Sequence, residues 1–209
     1  MNLFDVLSVD ERASATRIVG VVVGVVTNNE DPAELGRVKV KFPWLSDEAE
    51  SSWARVAMPI AGNGRGLFSL PEVEDEVLVA FEQGDPRFPY VVGSLWNGQD
   101  KPPAKDGLSY VLKSKSGHTI TLDDKEDAEK IKIIDKSEKN SIVIDTAKNT
   151  ITITSDKDIT LSASKGTIKL DAQKVEIKSS ADTAIEAGAG MEVKATGTMN
   201  VKGAMVNIN

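Results

Sequence analysis

The apolar and polar positions of this chain follow two different rhythms. In the first half, IVGVVVGVV (18–26) is a β-branched run long enough for a buried strand. RVKVKF (37–42) alternates strictly, with Val38, Val40 and Phe42 on one face and Arg37, Lys39 and Lys41 on the other. That period of two predicts a half-buried strand. WARVAMPI (53–60), EVLVAFE (76–82) and YVVGSLW (90–96) predict three more, with GNGRG (62–66) and GDPRFP (84–89) as loops rich in breakers. Five strands joined by unequal loops suggest a small antiparallel Greek-key barrel of the OB type over residues 18–96. A lead segment, 1–17, precedes it, with Leu3, Phe4, Val6 and Leu7 set among charges as one or two helical turns or an arm. A polar, Pro-containing linker (97–110) follows it.

From residue 111 to 209 the rhythm becomes a short repeat. Apolar pairs in an I-x-I frame recur at Ile131/Ile133, Ile142/Ile144, Ile151/Ile153, Ile159/Leu161, Ile168/Leu170 and Val175/Ile177. Weaker copies stand at Ile185/Ala187, Met191/Val193, Met199/Val201 and Val206/Ile208. The middle residue is polar in every pair except at Val143. Each unit reads as a very short strand with two inward side chains, and Asp, Asn, Ser, Lys and Gly turn the chain between units. Two apolar side chains cannot offset the ordering of about eight residues, so the units must stack. Either one chain winds a β-helix alone, or three chains wind about one axis, each giving one wall of a prism. A closed prism would also hide strand edges.

Composition sharpens the division. All ten aromatic residues lie at or before Tyr110 and all eight prolines at or before Pro103, so the repeat half builds its interior from small and β-branched side chains alone. The chain carries 32 acidic and 25 basic residues, a formal charge of −7, and its pI is near 4.9. That balance argues against nucleic acid as a partner. Cys is absent, which removes disulfides, thiolate metal sites and Cys nucleophiles. No apolar run approaches the roughly 20 residues of a membrane span. The acidic start MNLFDVLSVDER is unlike a secretory signal, so the expected site of synthesis is the cytoplasm.

Candidate chemistry is sparse. His118 is the only imidazole. Three copies meeting on an axis would make a metal site; a loop residue in a hydrogen-bonding role is the preferred reading, with no metal expected. The stretch Asp123, Asp124, Glu126, Asp127 and Glu129 is interleaved with Lys125 and Lys130 and lacks the Gly of a calcium loop, so a solvated turn is expected. Glu72, Glu74, Asp75 and Glu76 read likewise as a turn rather than an acid–base pair. Trp44, Trp53 and Trp96 suggest core packing or subunit contact rather than a platform for stacked bases. GNGRG has the glycines of a phosphate loop but neither the GK[ST] ending nor a following helix. No catalytic residue and no cofactor is expected, and the chain is read as not an enzyme.

The first half resembles the baseplate assembly protein V spikes of contractile phage tails and the corresponding region of the VgrG spikes of type VI secretion. The resemblance rests on VGVVTNNEDPAELGRVKVKFPWLSDEAESSWARVAMPIAGNGRG, on PEVEDEVLVAFEQGDPRFPYVVGSLWNGQDKPP, and on SKSGHTITLDD (114–124). The last looks like the start of that family's triple-stranded β-helix. The resemblance implies an all-β homotrimer, with OB barrels as a collar and the halves from 111 to 209 intertwined as a needle. It implies a central spike that a sheath drives through a target membrane, assembled into a virion baseplate, tailocin or type VI-like particle. The trimer core is then Ile131, Ile133, Ile142, Ile144, Ile151, Ile153, Ile159, Leu161, Ile168, Leu170, Val175 and Ile177. With only residues 1–17 before the first strand, a separate hub protein is expected to mount the collar. The linker leaves no room for a lysozyme domain, and the absence of His beyond His118 speaks against a histidine-bearing iron apex. Met205, Val206, Ile208 and Asn209 would form an apolar blunt end for a PAAR-repeat tip protein. The alternative is an OB-fold module with a solenoid tail that binds oligosaccharide or nucleic acid.

Overall fold

The computed structural model describes residues 17–105 and 107–208. Of the lead segment only Arg17 lies among them, and Asn209 lies outside them.

Among the described residues, thirteen strands and one 3-10 turn make up the regular structure, which is nearly all β. The barrel is built from β1 (Val21–Asn28), β2 (Arg37–Phe42), β4 (Ala54–Val56), β7 (Glu76–Phe81) and β8 (Pro89–Ser94). β1 pairs with both β2 and β7, β7 with β8, β8 with β4, and β4 with β2, which closes the ring. Every contact is antiparallel except β4 with β8, which is parallel. That order, with one parallel pair at the closure, is OB topology. β3 (Ser46–Glu50) attaches to the outside edge of β2.

The alternation seen in the sequence sets which face is inside. β2 and β7 both alternate half-buried and buried residues. Val26, Val38, Val40, Val77, Val79 and Val91 are fully enclosed, and Phe42, Phe81 and Ala54 complete the core. Phe42 is the aromatic keystone, with ring centroids 5.7 Å from Phe81 and 6.1 Å from Trp44, both tilted. Such pairs add to the area they bury. Gly24 lets β1 close on β2, because a Cβ there would sit 2.9 Å from the Val40 side chain.

Three details differ from the sequence expectations. β1 starts at Val21 rather than residue 18, because Gly20 turns the chain at φ 91° and the Ile18 N–H donates to the Gly84 carbonyl at 2.8 Å. β3 has no apolar alternation to announce it and is held by pairing with β2. GNGRG is a tight hairpin rather than a loop: β5 (Ala61–Gly62) and β6 (Arg65–Gly66) flank Asn63–Gly64. Gly64 sits at φ 63°, a left-handed geometry that glycine adopts without a Cβ penalty.

Beyond the barrel, β9 (Ser109–Lys113), β10 (Thr119–Asp123), β11 (Lys130–Ile134), β12 (Ser141–Asp145) and β13 (Thr150–Thr154) form one antiparallel meander. Its first strand begins within the residues read as linker, two before the expected start of the repeat half. The barrel and meander belong to one compact unit that runs to Lys157, and residues from Asp158 on form a second. Among the described residues of the second unit no strand is present. Among the described residues no β-helical coil of a single chain is present. The first repeat units fold back as hairpins instead, because antiparallel neighbours satisfy their backbone groups locally.

Two expected outcomes follow. Phe42→Ala should lower barrel stability by about 3–5 kcal/mol, the usual cost of deleting a buried aromatic, read by denaturant unfolding; an unchanged midpoint would show the ring to be dispensable. Glu138 turns the β11–β12 connection at φ 60°. Glu138→Gly should relieve that left-handed strain and stabilise the meander by about 0.5–1 kcal/mol, seen as a higher melting temperature.

Candidate functional site

The pairing register decides which side chains of the meander share a face. Leu122 stands opposite both Tyr110 and Ile131, and Ile144 opposite both Ile131 and Ile151. Ile120 stands opposite Leu112 and Ile133, and Ile142 opposite Ile133 and Ile153. The result is two parallel rows, Tyr110–Leu122–Ile131–Ile144–Ile151 and Leu112–Ile120–Ile133–Ile142–Ile153, forming one apolar stripe across all five strands. A groove of 490 Å³ runs over part of it, lined by Leu112, Ile120, Ile133, Ile142 and Ile153.

This stripe is the uncovered face of the sheet. Exposure of its residues runs from 36% at Ile144 to 71% at Ile151. The polar face is the more enclosed one: Thr119, Thr121, Lys130, Lys132 and Val143 are half-buried and Asp145 is buried. Ion pairs hold that face together. Lys132 Nζ donates to Asp123 at 2.8 Å, and Lys130 Nζ lies 3.2 Å from Asp145. Burial works to raise the Asp145 carboxyl, but hydrogen bonds from Lys130 and from the Lys148 N–H outweigh it and hold the group below its ordinary value. In a single copy the sheet is thus inside out, since a monomeric protein seldom leaves a contiguous apolar surface of this extent open to water.

The structure brings Ile131, Ile133, Ile142, Ile144, Ile151 and Ile153 together on this face. Ile159, Leu161, Ile168, Leu170, Val175 and Ile177 lie in the second unit, each exposed by half or more. Met205, Val206 and Ile208 are exposed as well. Four residues of the stripe were missed in the sequence: Tyr110, Leu112, Ile120 and Leu122. Their spacing, Y-x-L and I-x-L, is the same signal as in the counted units.

A polar row closes the stripe at one end. His118 and Asp135 continue the positions of Ile120 and Ile133 along their strands. His118 Nδ1 accepts the Lys136 N–H at 3.2 Å, so this nitrogen is already engaged. Asp135 accepts the Ser137 hydroxyl at 2.8 and 2.9 Å and the Asn140 side-chain amide at 3.0 Å. Those bonds, Ser137 first and Asn140 second, lower its carboxyl from 3.8 to about 2. Among the described residues no group of three or more His, Cys, Asp or Glu is placed to hold a metal.

On the barrel, the outward cations of β2 are each tied to an acid. Arg37 forms a two-point pair with Asp31 at 2.7 and 2.8 Å, Lys39 meets Glu50 at 2.8 Å, and Lys41 lies 3.9 Å from Glu74. Arg37 and Lys39 also stand over the Trp53 ring at 5.8 and 5.6 Å. Trp44 and Trp96 are exposed. In the run at 72–76, the Asp75 carboxylate accepts the Glu72 N–H at 2.7 Å, and the Glu72 carboxylate takes Lys115 of the meander side at 2.7 Å.

Residues 22–96, which hold nearly the whole barrel, match the family of type VI secretion system/phage-baseplate injector OB domains. Over this stretch the chain resembles VgrG spike proteins. It is 32% identical over 128 residues to the type VI secretion system spike protein VgrG1a of Pseudomonas aeruginosa, covering 54% of this chain and 20% of that one. It is 42% identical over 72 residues to the spike protein VgrG3 of Vibrio cholerae, covering 32% of this chain and 7% of that one. A further V. cholerae relative, the actin cross-linking toxin VgrG1, is 38% identical over 74 residues, 34% of this chain and 7% of its own length. The VgrG-like chain thus spans about a fifth or less of these relatives.

Acid should loosen the β11–β12 turn of this VgrG-like protein. A carboxyl lowered in the folded state stabilises fully above its unfolded value and loses that contribution as pH falls. With Asp135 lowered from 3.8 to about 2, the loss should run between those two values. Amide protection at Ser137–Asn140, taken as NMR exchange rates relative to their intrinsic values at each pH, should fall across that range in the native chain and stay flat in Asp135→Asn; a flat native profile would refute the assignment.

Proposed function

We propose that this VgrG-like protein is the trimeric central spike of a contractile injection machine, working mechanically rather than as an enzyme. The observation that carries the reading is the inverted sheet: an apolar stripe two rows wide that no described residue of its own unit covers. Three such walls facing inward remove all three stripes from water at once and leave the Lys–Asp faces outward. Burying what remains exposed of ten apolar side chains gains roughly 1 kcal/mol each, enough in sum to hold subunits together. The tail from Ile159 to Ile208 continues the same pairs with the same need for partners. Supporting the assignment to a spike are the injector OB domain at residues 22–96 and the likeness to spike proteins of type VI secretion.

In this reading the barrels form a collar mounted on a separate hub protein. The exposed Met205, Val206 and Ile208 seat a PAAR-repeat tip protein, and sheath contraction pushes the assembly through a target membrane. Synthesis is cytoplasmic, with assembly into a phage tail, tailocin or type VI-like particle. The rival is an OB-fold module with a solenoid tail that binds oligosaccharide or nucleic acid, and its nucleic-acid form is weakened by the chemistry of β2. A surface that tracks phosphates needs free cations, and Arg37, Lys39 and Lys41 are each committed to a carboxylate.

The chain has no Cys, so single cysteines report cleanly on assembly. A short bismaleimide should join chains of Ile142→Cys into covalent dimers in high yield and leave Thr152→Cys, on the outer face, largely single. Equal yields at the two positions would sink the inward-facing stripe. Ile168→Asp should weaken the assembly, because each copy would bury an uncompensated charge; a variant whose assembly resists dilution as well as the native chain's would contradict the tail's place in the interior.

A further inference from the structure

The meander and the tail after it carry one motif but stand in opposite relation to their own chain. In the meander each strand finds its hydrogen-bonding partner next along the sequence. Each of the four connections contains one residue at positive φ: Gly117 at 102°, Asp127 at 59°, Glu138 at 60° and Asn149 at 53°. Each is also closed by a local bond, such as Gly117 N–H to Ser114 O at 2.9 Å and Ala128 N–H to Lys125 O at 2.9 Å. A left-handed residue in each turn closes a hairpin over a few residues, where loop entropy is small.

The second unit differs. Among its described residues there is no ladder. Its ion pairs, Lys169 with Asp171, Lys174 and Lys178 with Glu176, and Lys194 with Glu192, join residues two apart. Gly166 donates its N–H to Ala163 O, and Ser179 its hydroxyl to Asp182 O, both three residues apart. Such contacts shape turns but pin no strand to another. The apolar pairs nevertheless persist to Ile208. Hairpins with local contacts form quickly and alone; a segment without an internal ladder must meet its ordering cost when it meets a partner.

We propose that assembly is ordered in two stages. The meander folds within each chain first, helped by its paired Lys–Asp face, and so presents a finished apolar stripe. Three stripes then meet, and the tail orders last, on the tails of the other copies brought alongside it. The meander is thereby the device that converts a repetitive tail, unable to fold alone, into one that folds only after three copies have been gathered. This inference rests on the trimeric reading above.

The test is pulsed hydrogen–deuterium exchange during refolding of the full chain from denaturant, at two protein concentrations, read by peptide mass spectrometry. Amides of residues 119–154 should gain protection in an early phase whose rate is the same at both concentrations. Amides of residues 158–208 should gain it in a later phase that quickens with concentration. In Ile168→Asp the early phase should persist and the late one vanish. Simultaneous protection of both segments, a tail protected first, or loss of the early phase in Ile168→Asp would overturn the order. A native chain that refolds to the mass of one copy, with its tail never protected, would instead fail the trimeric reading, and the two-stage order with it.

Discussion

The constraint on which the rest depends is that a five-stranded sheet has two faces and, among the described residues of its unit, no second layer covers the apolar one. A sheet exposed on both sides normally keeps its apolar residues few. Here ten of them occupy one face in register, while the opposite face carries the Lys–Asp pairs. In the proposed assembly the sheet is therefore one wall of an interface. Apart from the outer edges of β9 and β13, its strands pair with one another, so what its apolar face lacks is a covering for its side chains. That distinguishes it from the barrel, where Phe42, Phe81 and the enclosed valines make an interior without outside help.

The two parts also protect their strand edges differently. The barrel closes through β1–β2, leaving only the attached β3 at its rim, with Glu50 held by Lys39. β13, TITIT, ends the meander as an uncharged edge with every residue exposed. An open edge of that kind invites another strand. The chain continues directly from it into more units of the same pattern, so edge and tail pose the same demand for partners. Units that stack along one direction build a stiff rod, which is the property the proposed spike would need.

Much of the barrel was legible because its strands alternate with period two around β-branched residues, as in RVKVKF and EVLVAF. β3 was not, since its sequence is polar and acidic and its pairing to β2 comes from tertiary position. The Asn-Gly of the β5–β6 hairpin was in plain view, but two-residue strands carry no periodic signal of their own. In the repeat half the I-x-I frame revealed which side chains share a face, and that part of the candidate site could be read directly. It could not reveal the antiparallel partners, because three of the four turns use Asp127, Glu138 and Asn149 where a glycine would have announced a hairpin. Nor could it tell that the apolar face would be the open one. Sequence pattern distinguishes two faces, and which of them is inside depends on how many copies are present.

The number of copies is accordingly the quantity to measure. Multi-angle light scattering on the full chain, carried through serial dilution, should give about 67 kDa, three times the 22.4 kDa of one copy, and hold that value until the protein is very dilute. A folded, monodisperse species at the mass of a single copy would contradict the account, since its stripe would then be stable in water without a cover.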